Sequence, residues 1–221
     1  MHEIDVQFAI AKVSKYATSE SGDTIEMTER PFGGLSFVMA DGQRSGRSAK
    51  AISNVVVRKA IQLLAEGVRD GAAARAAHDY LYTYRQGKVS APHNILSVDI
   101  STKTFVISRN NTAPVIVFRE EQGLYLLDEP SKNVGTNRHV KPVITELPIV
   151  PNSLIVIFTD GLRNAGGYMD GEGFDPVAAM QQLCDNGVRD PRLIADGLLA
   201  EAVERDRGRP RDDITVLVTA V

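Results

Sequence analysis

Ile4, Val6, Phe8 and Ile10 recur at every second position, which predicts a half-buried strand over residues 4–13. A short strand is expected near Thr24 to Met27. Pro31 with Gly33 and Gly34 then leads into an apolar run, Leu35 to Met39, that stops on Asp41-Gly42. There the rhythm changes. Ile52, Val56, Ala60, Ile61 and Leu64 recur at three and four positions, predicting a helix that Ser45 or Ser48 can cap, that runs to about Glu66 and that Gly67 ends. A second, alanine-rich helix is expected over Asp70 to Arg85, with Tyr80, Leu81 and Tyr84 on one side.

From Asn94 to Val150 the pattern is of strands. NILSVDI, KTFVISRN, APVIVFRE and GLYLLDE are separated by turns at Ser101-Thr102, Asn111-Thr112 and Gln122-Gly123, which predicts a meander of antiparallel hairpins. Lys132 to Lys141 reads as a loop, Pro142 to Leu147 as a further strand, and SLIVIFTDGL (153–162) as a buried strand ending on Asp160-Gly161. The glycine-rich residues 161–174 read as an irregular flap. Asp175-Pro176 and Asp190-Pro191 each join a capping acid to a proline at the first helical position, and start two more helices. A basic loop, Arg205 to Arg211, precedes a last strand. Strands in the middle flanked by two pairs of helices give an α+β class, with sheet covered by helices.

With 221 residues, 43% hydrophobic content and no linker or low-complexity tract, a single domain over 1–221 is expected. The net charge of −3, with both signs interspersed, argues against nucleic acid as the main partner. A single cysteine, Cys184, excludes an internal disulfide and points to a reducing compartment. No apolar run approaches the roughly 18 residues of a membrane span, so a soluble, cytoplasmic protein is expected.

The polar residues at the strand ends carry the candidate chemistry. Asp41 and Asp160 end apolar runs, Asp212-Asp213 stands before ITVLV, and Asp23 sits in a Ser-Gly-Asp turn. Mg²⁺ and Mn²⁺ take oxygen ligands, so a few aspartates with a backbone carbonyl suffice to hold them. Two such ions about 3.5 to 4 Å apart activate water and neutralise a phosphoryl group. Asp-Gly is also ordinary turn chemistry, and any one of these pairs alone reads more readily as a turn than as a ligand. Their conjunction, in order and at domain-scale spacing, favours the metal.

SGD (21–23), FVMADGQRSGRSA (37–49), VIFTDGL (156–162) and DDITVLV (212–218) resemble, in that order, the motifs of the metal-dependent protein phosphatases (PPM, type 2C), and more closely their bacterial SpoIIE-type branch. The resemblance spans essentially the whole chain. It implies a four-layer αββα sandwich of two mainly antiparallel sheets flanked by helix pairs. It also implies a phosphoserine/phosphothreonine phosphatase using two Mn²⁺ or Mg²⁺ ions and a hydroxide bridging them. On this reading Asp41 bridges both ions, the Gly42 carbonyl joins it, Asp23 binds the second ion directly or through water, and Asp160 and Asp212 hold the first. Asp213 falls where relatives carry Asn or Asp and supports the ligands from behind. The implied partner is a phosphorylated regulatory protein of the STAS-domain or stressosome type, and the helices after Asp41-Gly42 are implied to act as a switch.

Two departures stand out. Arg44 occupies a position where relatives carry glycine, and it either contacts substrate phosphate or points to solvent. Asn110-Asn111-Thr112-Ala113-Pro114 replaces the family's usual hairpin sequence. The four histidines lack metal-pair spacing, and no general acid can be placed among them; Cys184 reads as core. A non-catalytic module that keeps the fold and docks a partner is the rival from another class, and a two-metal phosphodiesterase or nuclease is a third.

Overall fold

The computed structural model describes residues 4–167 and 171–221. They form two compact units, one of residues Glu20–Thr112 and Glu129–Ile149, the other of Met1–Ser19, Ala113–Asp128 and Val150–Val221. Part of the expected flap, residues 168–170, lies outside the described residues, as does His2.

The first unit holds a five-stranded antiparallel sheet of β2 (Asp23–Glu29), β3 (Gly34–Asp41), β4 (His93–Asp99), β5 (Thr104–Asn110) and β8 (Val143–Pro148), in that spatial order. Two helices, α1 (Gly46–Ala65) and α2 (Asp70–Arg85), cover one face. The core beneath them joins Val38, Ala40 and Ile95 of the sheet to Ile52, Val56, Val57 and Leu64 of α1 and to Ala73, Ala77 and Leu81 of α2. Each large apolar side chain buried there contributes about 1.5–3 kcal/mol. Arg30 fixes the start of α2. Its Nη1 donates to Asp70 Oδ2 at 3.1 Å, and to the hydroxyls of Ser36 and Ser97 at 3.1 and 3.2 Å.

The second unit holds the other antiparallel sheet, in the order β1 (Gln7–Val13), β10 (Ile214–Ala220), β9 (Leu154–Phe158), β6 (Val115–Arg119), β7 (Gly123–Leu127). Its helices are α3 (Asp160–Asn164), α4 (Pro176–Asp185) and α5 (Pro191–Arg205). Ile194, Leu198 and Ala202 of α5 and Met180 and Cys184 of α4 pack with Ile116, Val156, Val216 and Val218 of the sheet. Both Asp-Pro caps form. Asp175 accepts from the amides of Val177 and Ala178, and Asp190 from those of Arg192 and Leu193. No described helix is long and apolar enough to cross a membrane.

Five expectations change. The meander is divided between the sheets: β4 pairs β5 and β6 pairs β7, but β5 turns away from β6 to pair β8, while β6 pairs β9. Asn111-Thr112 is therefore a crossing between units and not a hairpin turn. On β1 the face toward the helices carries Ala9, Ala11 and Val13, leaving Phe8 and Ile10 about 40% exposed, because small residues fit beneath α5 at a sheet edge. Ser45 stands at the N-cap of α1 with an extended backbone, yet its hydroxyl makes no capping bond. Leu81 is buried, whereas Tyr80 and Tyr84 stack on each other at the solvent face of α2. The expected flap begins as a helix, α3.

His93, on β4, is fully buried, and neither ring nitrogen has a hydrogen-bond partner among the described residues. Burial pushes its pKa down from 6.5 to about 4. The unfolded chain therefore binds a proton more readily than the folded one between those values, so stability is lost as pH falls from 6.5 toward 4 and the loss is complete below 4. The full effect is on the order of 3 kcal/mol. Urea unfolding across this window is expected to show a pH dependence that His93→Phe removes in that measure; a variant with the wild-type slope would contradict it.

Candidate metal centre

In the first unit, antiparallel pairing of β2 with β3 sets Asp23 directly opposite Asp41. Directly paired residues share a face, with Cβ atoms about 4.5–5.5 Å apart. Asp23 is fully buried and Asp41 half-buried. Val38 and Ala40 face the helices, so alternation puts Asp41 on the opposite face of the sheet. Gly42 follows because nothing larger fits: a Cβ there would stand 1.8 Å from the Ala49 carbonyl oxygen, in the first turn of α1.

Polar residues of α1 grip the start of β2. Lys50 Nζ donates to the Asp23 carbonyl at 2.8 Å and to Thr24 Oγ1 at 2.9 Å. Ser53 Oγ donates to the Gly22 carbonyl at 2.6 Å, and Thr24 Oγ1 donates to Asn54 Oδ1 at 2.9 Å. Sequence reasoning missed these residues. The available signal was a polar cluster, Lys50, Ser53 and Asn54, interleaved with the apolar positions of α1.

In the second unit, Asp160 opens α3, with one residue between it and the end of β9. Thr159 locks that junction to β10: its amide donates to the Thr215 carbonyl at 3.0 Å and its Oγ1 accepts from the Thr215 amide at 2.9 Å. Gly161 lies against the double aspartate. A Cβ on it would meet the Asp213 carbonyl oxygen at 2.1 Å and Asp212 Cβ at 3.3 Å. Asp160 and Asp212 are thereby neighbours. Burial raises the Asp212 pKa, with the charges of Asp160 and Asp213 adding to it and the Asp213 amide and Lys15 opposing. Asp213 is buried, and its Oδ1 accepts from the Lys15 amide at 3.0 Å.

Each unit thus brings together part of the expected set: Asp23, Asp41 and Gly42 in one, Asp160 and Asp212 with Asp213 behind them in the other. Among the described residues, neither unit gathers three His, Cys, Asp or Glu side chains into a complete ligand set of its own. The donors are carboxylates and backbone carbonyls, which fit a hard divalent cation and not a thiophilic one. Arg44 is exposed, with a left-handed φ of +79°. His78 accepts from the Gly135 amide through Nδ1, His139 is exposed, and Cys184 is buried with its thiol pKa pushed up by burial.

The family model of Stage II sporulation protein E (SpoIIE) matches residues 31–221. The chain belongs to the SpoIIE family. Solved structures agree on the fold. The PP2C phosphatase domain with a fragment of the regulatory domain of SpoIIE from Bacillus subtilis superposes with a TM-score of 0.85 at 19% identity, over 100% of this chain and 64% of that one. The RsbU and RsbW domains of a Mycobacterium tuberculosis protein give 0.74 at 18%, over 97% of this chain and 59% of that one. The catalytic domain of the phosphatase PstP, in complex with two manganese ions, gives 0.70 at 14%, over 97% of each chain. The chain therefore spans about two thirds or less of the first two. No curated protein matches it.

The geometry generates two expectations for this SpoIIE-family chain. Arg44→Gly relieves a left-handed backbone and is expected to stabilise the fold by about 0.5–1 kcal/mol. Gly161→Ala drives a Cβ into the Asp213 carbonyl and is expected to destabilise it by about 1–3 kcal/mol. Urea denaturation midpoints check both, and an unchanged Gly161→Ala midpoint would mean that the Asp212-Asp213 backbone yields without cost.

Proposed function

We propose that the enzyme hydrolyses phosphoserine or phosphothreonine on a regulatory protein. The two units are read as halves of one phosphatase domain over 1–221, a reading supported by a family match that runs through both. Asp23, Asp41 and the Gly42 carbonyl in one unit, and Asp160 and Asp212 in the other, are the residues that would hold Mn²⁺ or Mg²⁺. The observation that carries this is the in-register pairing of Asp23 with Asp41, followed by a glycine that admits no side chain. When bound, divalent ions activate water and offset the charge of the phosphoryl group.

The chain's own residues do the positioning. Lys50 and Ser53 hold the backbone that carries Asp23, and Asp213 holds the Lys15 amide and so steadies the chain beside Asp212. Arg44 is the candidate contact for substrate phosphate. Its guanidinium is exposed and makes no ion pair among the described residues, and it can grip phosphate through two parallel N–H bonds. The regulatory substrate is of the STAS-domain or stressosome type, a reading supported by family membership and by the likeness to RsbU and RsbW domains. A chain with one buried cysteine suits the reducing cytoplasm.

Arg44 also favours a second reading, a non-catalytic binding module, since a cation at the glycine turn opposes metal occupancy. Hydrolysis of p-nitrophenyl phosphate and of a phosphoserine peptide, with Mn²⁺, Mg²⁺ or EDTA, separates the two. Metal-dependent turnover is expected, abolished by EDTA and reduced about 100-fold or more by Asp160→Asn. Absence of turnover with every metal, in a protein that melts cooperatively, would support the binding module.

A further inference from the structure

The first unit carries a second surface, on the sheet face opposite Asp23 and Asp41. A groove of about 640 Å³ runs between α2 and the outer strands β5 and β8, floored by Val106 and Ile144. Gly71 of α2 rests directly on Ile144, where a Cβ would fall 2.4 Å from Ile144 Cδ1. That contact places Arg75, one turn further along α2, and Lys141, three residues before Ile144, around the same spot. Arg69 lines the groove as well.

These three cations are unspent. Arg30, also in the groove, is held by Asp70, whereas the side chains of Arg69, Arg75 and Lys141 make no ion pair or hydrogen bond among the described residues. All three are exposed. Of the acids in the groove, Asp70 is taken by Arg30, and Asp99 by Ser101 and the Thr102 amide. Glu146 alone is left on the anionic side.

The groove is bordered by an unpaired strand edge. β8 ends its sheet and pairs only with β5 among the described residues. The Ile149 amide donates to the Lys103 carbonyl at 2.8 Å, which fixes the alternation along β8. Val143, Thr145 and Leu147 turn their amides and carbonyls inward to β5. Those of Ile144 and Glu146 turn outward, and Pro148, next in the outward series, has no amide to offer. The same two residues present their side chains to the groove. Ile144, 49% exposed, is a half-covered apolar anchor.

We propose that this groove docks an extended acidic segment of a partner protein, which adds to β8 as a sixth strand. The backbone of Ile144 and Glu146 supplies the strand pairing, Ile144 the apolar contact, and Arg69, Arg75 and Lys141 the charge selection. A strand's alternation puts every second side chain of the guest over the cations, so acids at alternate positions are what the surface selects. The surface is independent of the phosphatase reading, because it uses no residue of the candidate metal centre.

The test uses a fluorescein-labelled peptide of about eight residues, alternating valine with glutamate, and its valine–lysine counterpart. The glutamate peptide is expected to bind the full chain, to slow amide exchange at Ile144 and Glu146, and to lose about tenfold or more in affinity with Arg75→Glu/Lys141→Glu. An unchanged melting temperature of that exposed double variant confirms its fold. Any of four results would overturn the proposal: no binding of the glutamate peptide, equal binding of the lysine peptide, binding without protection of those two amides, or self-association through this edge in sedimentation.

Discussion

Two carboxylates held opposite each other across one antiparallel ladder are the constraint around which the first unit is arranged. Like charges in directly paired positions repel, and a buried carboxylate costs several kcal/mol unless something compensates it. The pairing of Asp23 with Asp41 is nevertheless enforced by the seven-residue ladder of β2 and β3, which cannot slip by one residue without turning Phe37 and Met39 toward the helices. The register that builds the core thus also builds the acidic pair. The donors that the ladder imposes are oxygen-rich and closely spaced, which is what a hard divalent cation requires.

The Asp-Gly pair recurs for a reason beyond turn chemistry. The close approaches at Gly42 and Gly161 show a steric demand. In each case a backbone carbonyl, of Ala49 or of Asp213, occupies the space a Cβ would need. The glycine lets a second segment pass directly behind the aspartate. In one unit that segment is the opening turn of α1, and in the other it carries the remaining acids, Asp212 and Asp213.

The elements were legible in the sequence because each depends on its own periodicity. Strand β3, helices α1 and α2, and both Asp-Pro caps lie within a residue or two of where the hydrophobic pattern puts them. Partnership between strands was not legible, because a period of two states which face is buried and not which neighbour is paired. Four consecutive strands joined by short turns therefore read as one meander, whereas Asn111-Thr112 carries the chain from one sheet to the other. Asp41, Asp160 and Asp212 were legible as acids at strand ends and Asp23 as the acid of a turn, and the pairing of Asp23 with Asp41 follows from register. Lys50 and Ser53 were missed because a polar residue on an apolar helix face looks like noise until its partner, a backbone carbonyl, is known.

Those polar residues give α1 a role that apolar packing alone could not. Hydrophobic contacts between a helix and a sheet are non-directional and tolerate small slides, but hydrogen bonds to the carbonyls of Gly22 and Asp23 are directional and weaken steeply once misaligned. Two such bonds, with two more through the Thr24 hydroxyl, tie one turn of α1 to the chain that carries the buried carboxylate. The first turn of the same helix is pressed against Gly42 through Ala49. A displacement of α1 would disturb the backbone at both Asp23 and Gly42, so the position of this helix and the geometry of the acidic pair amount to a single variable.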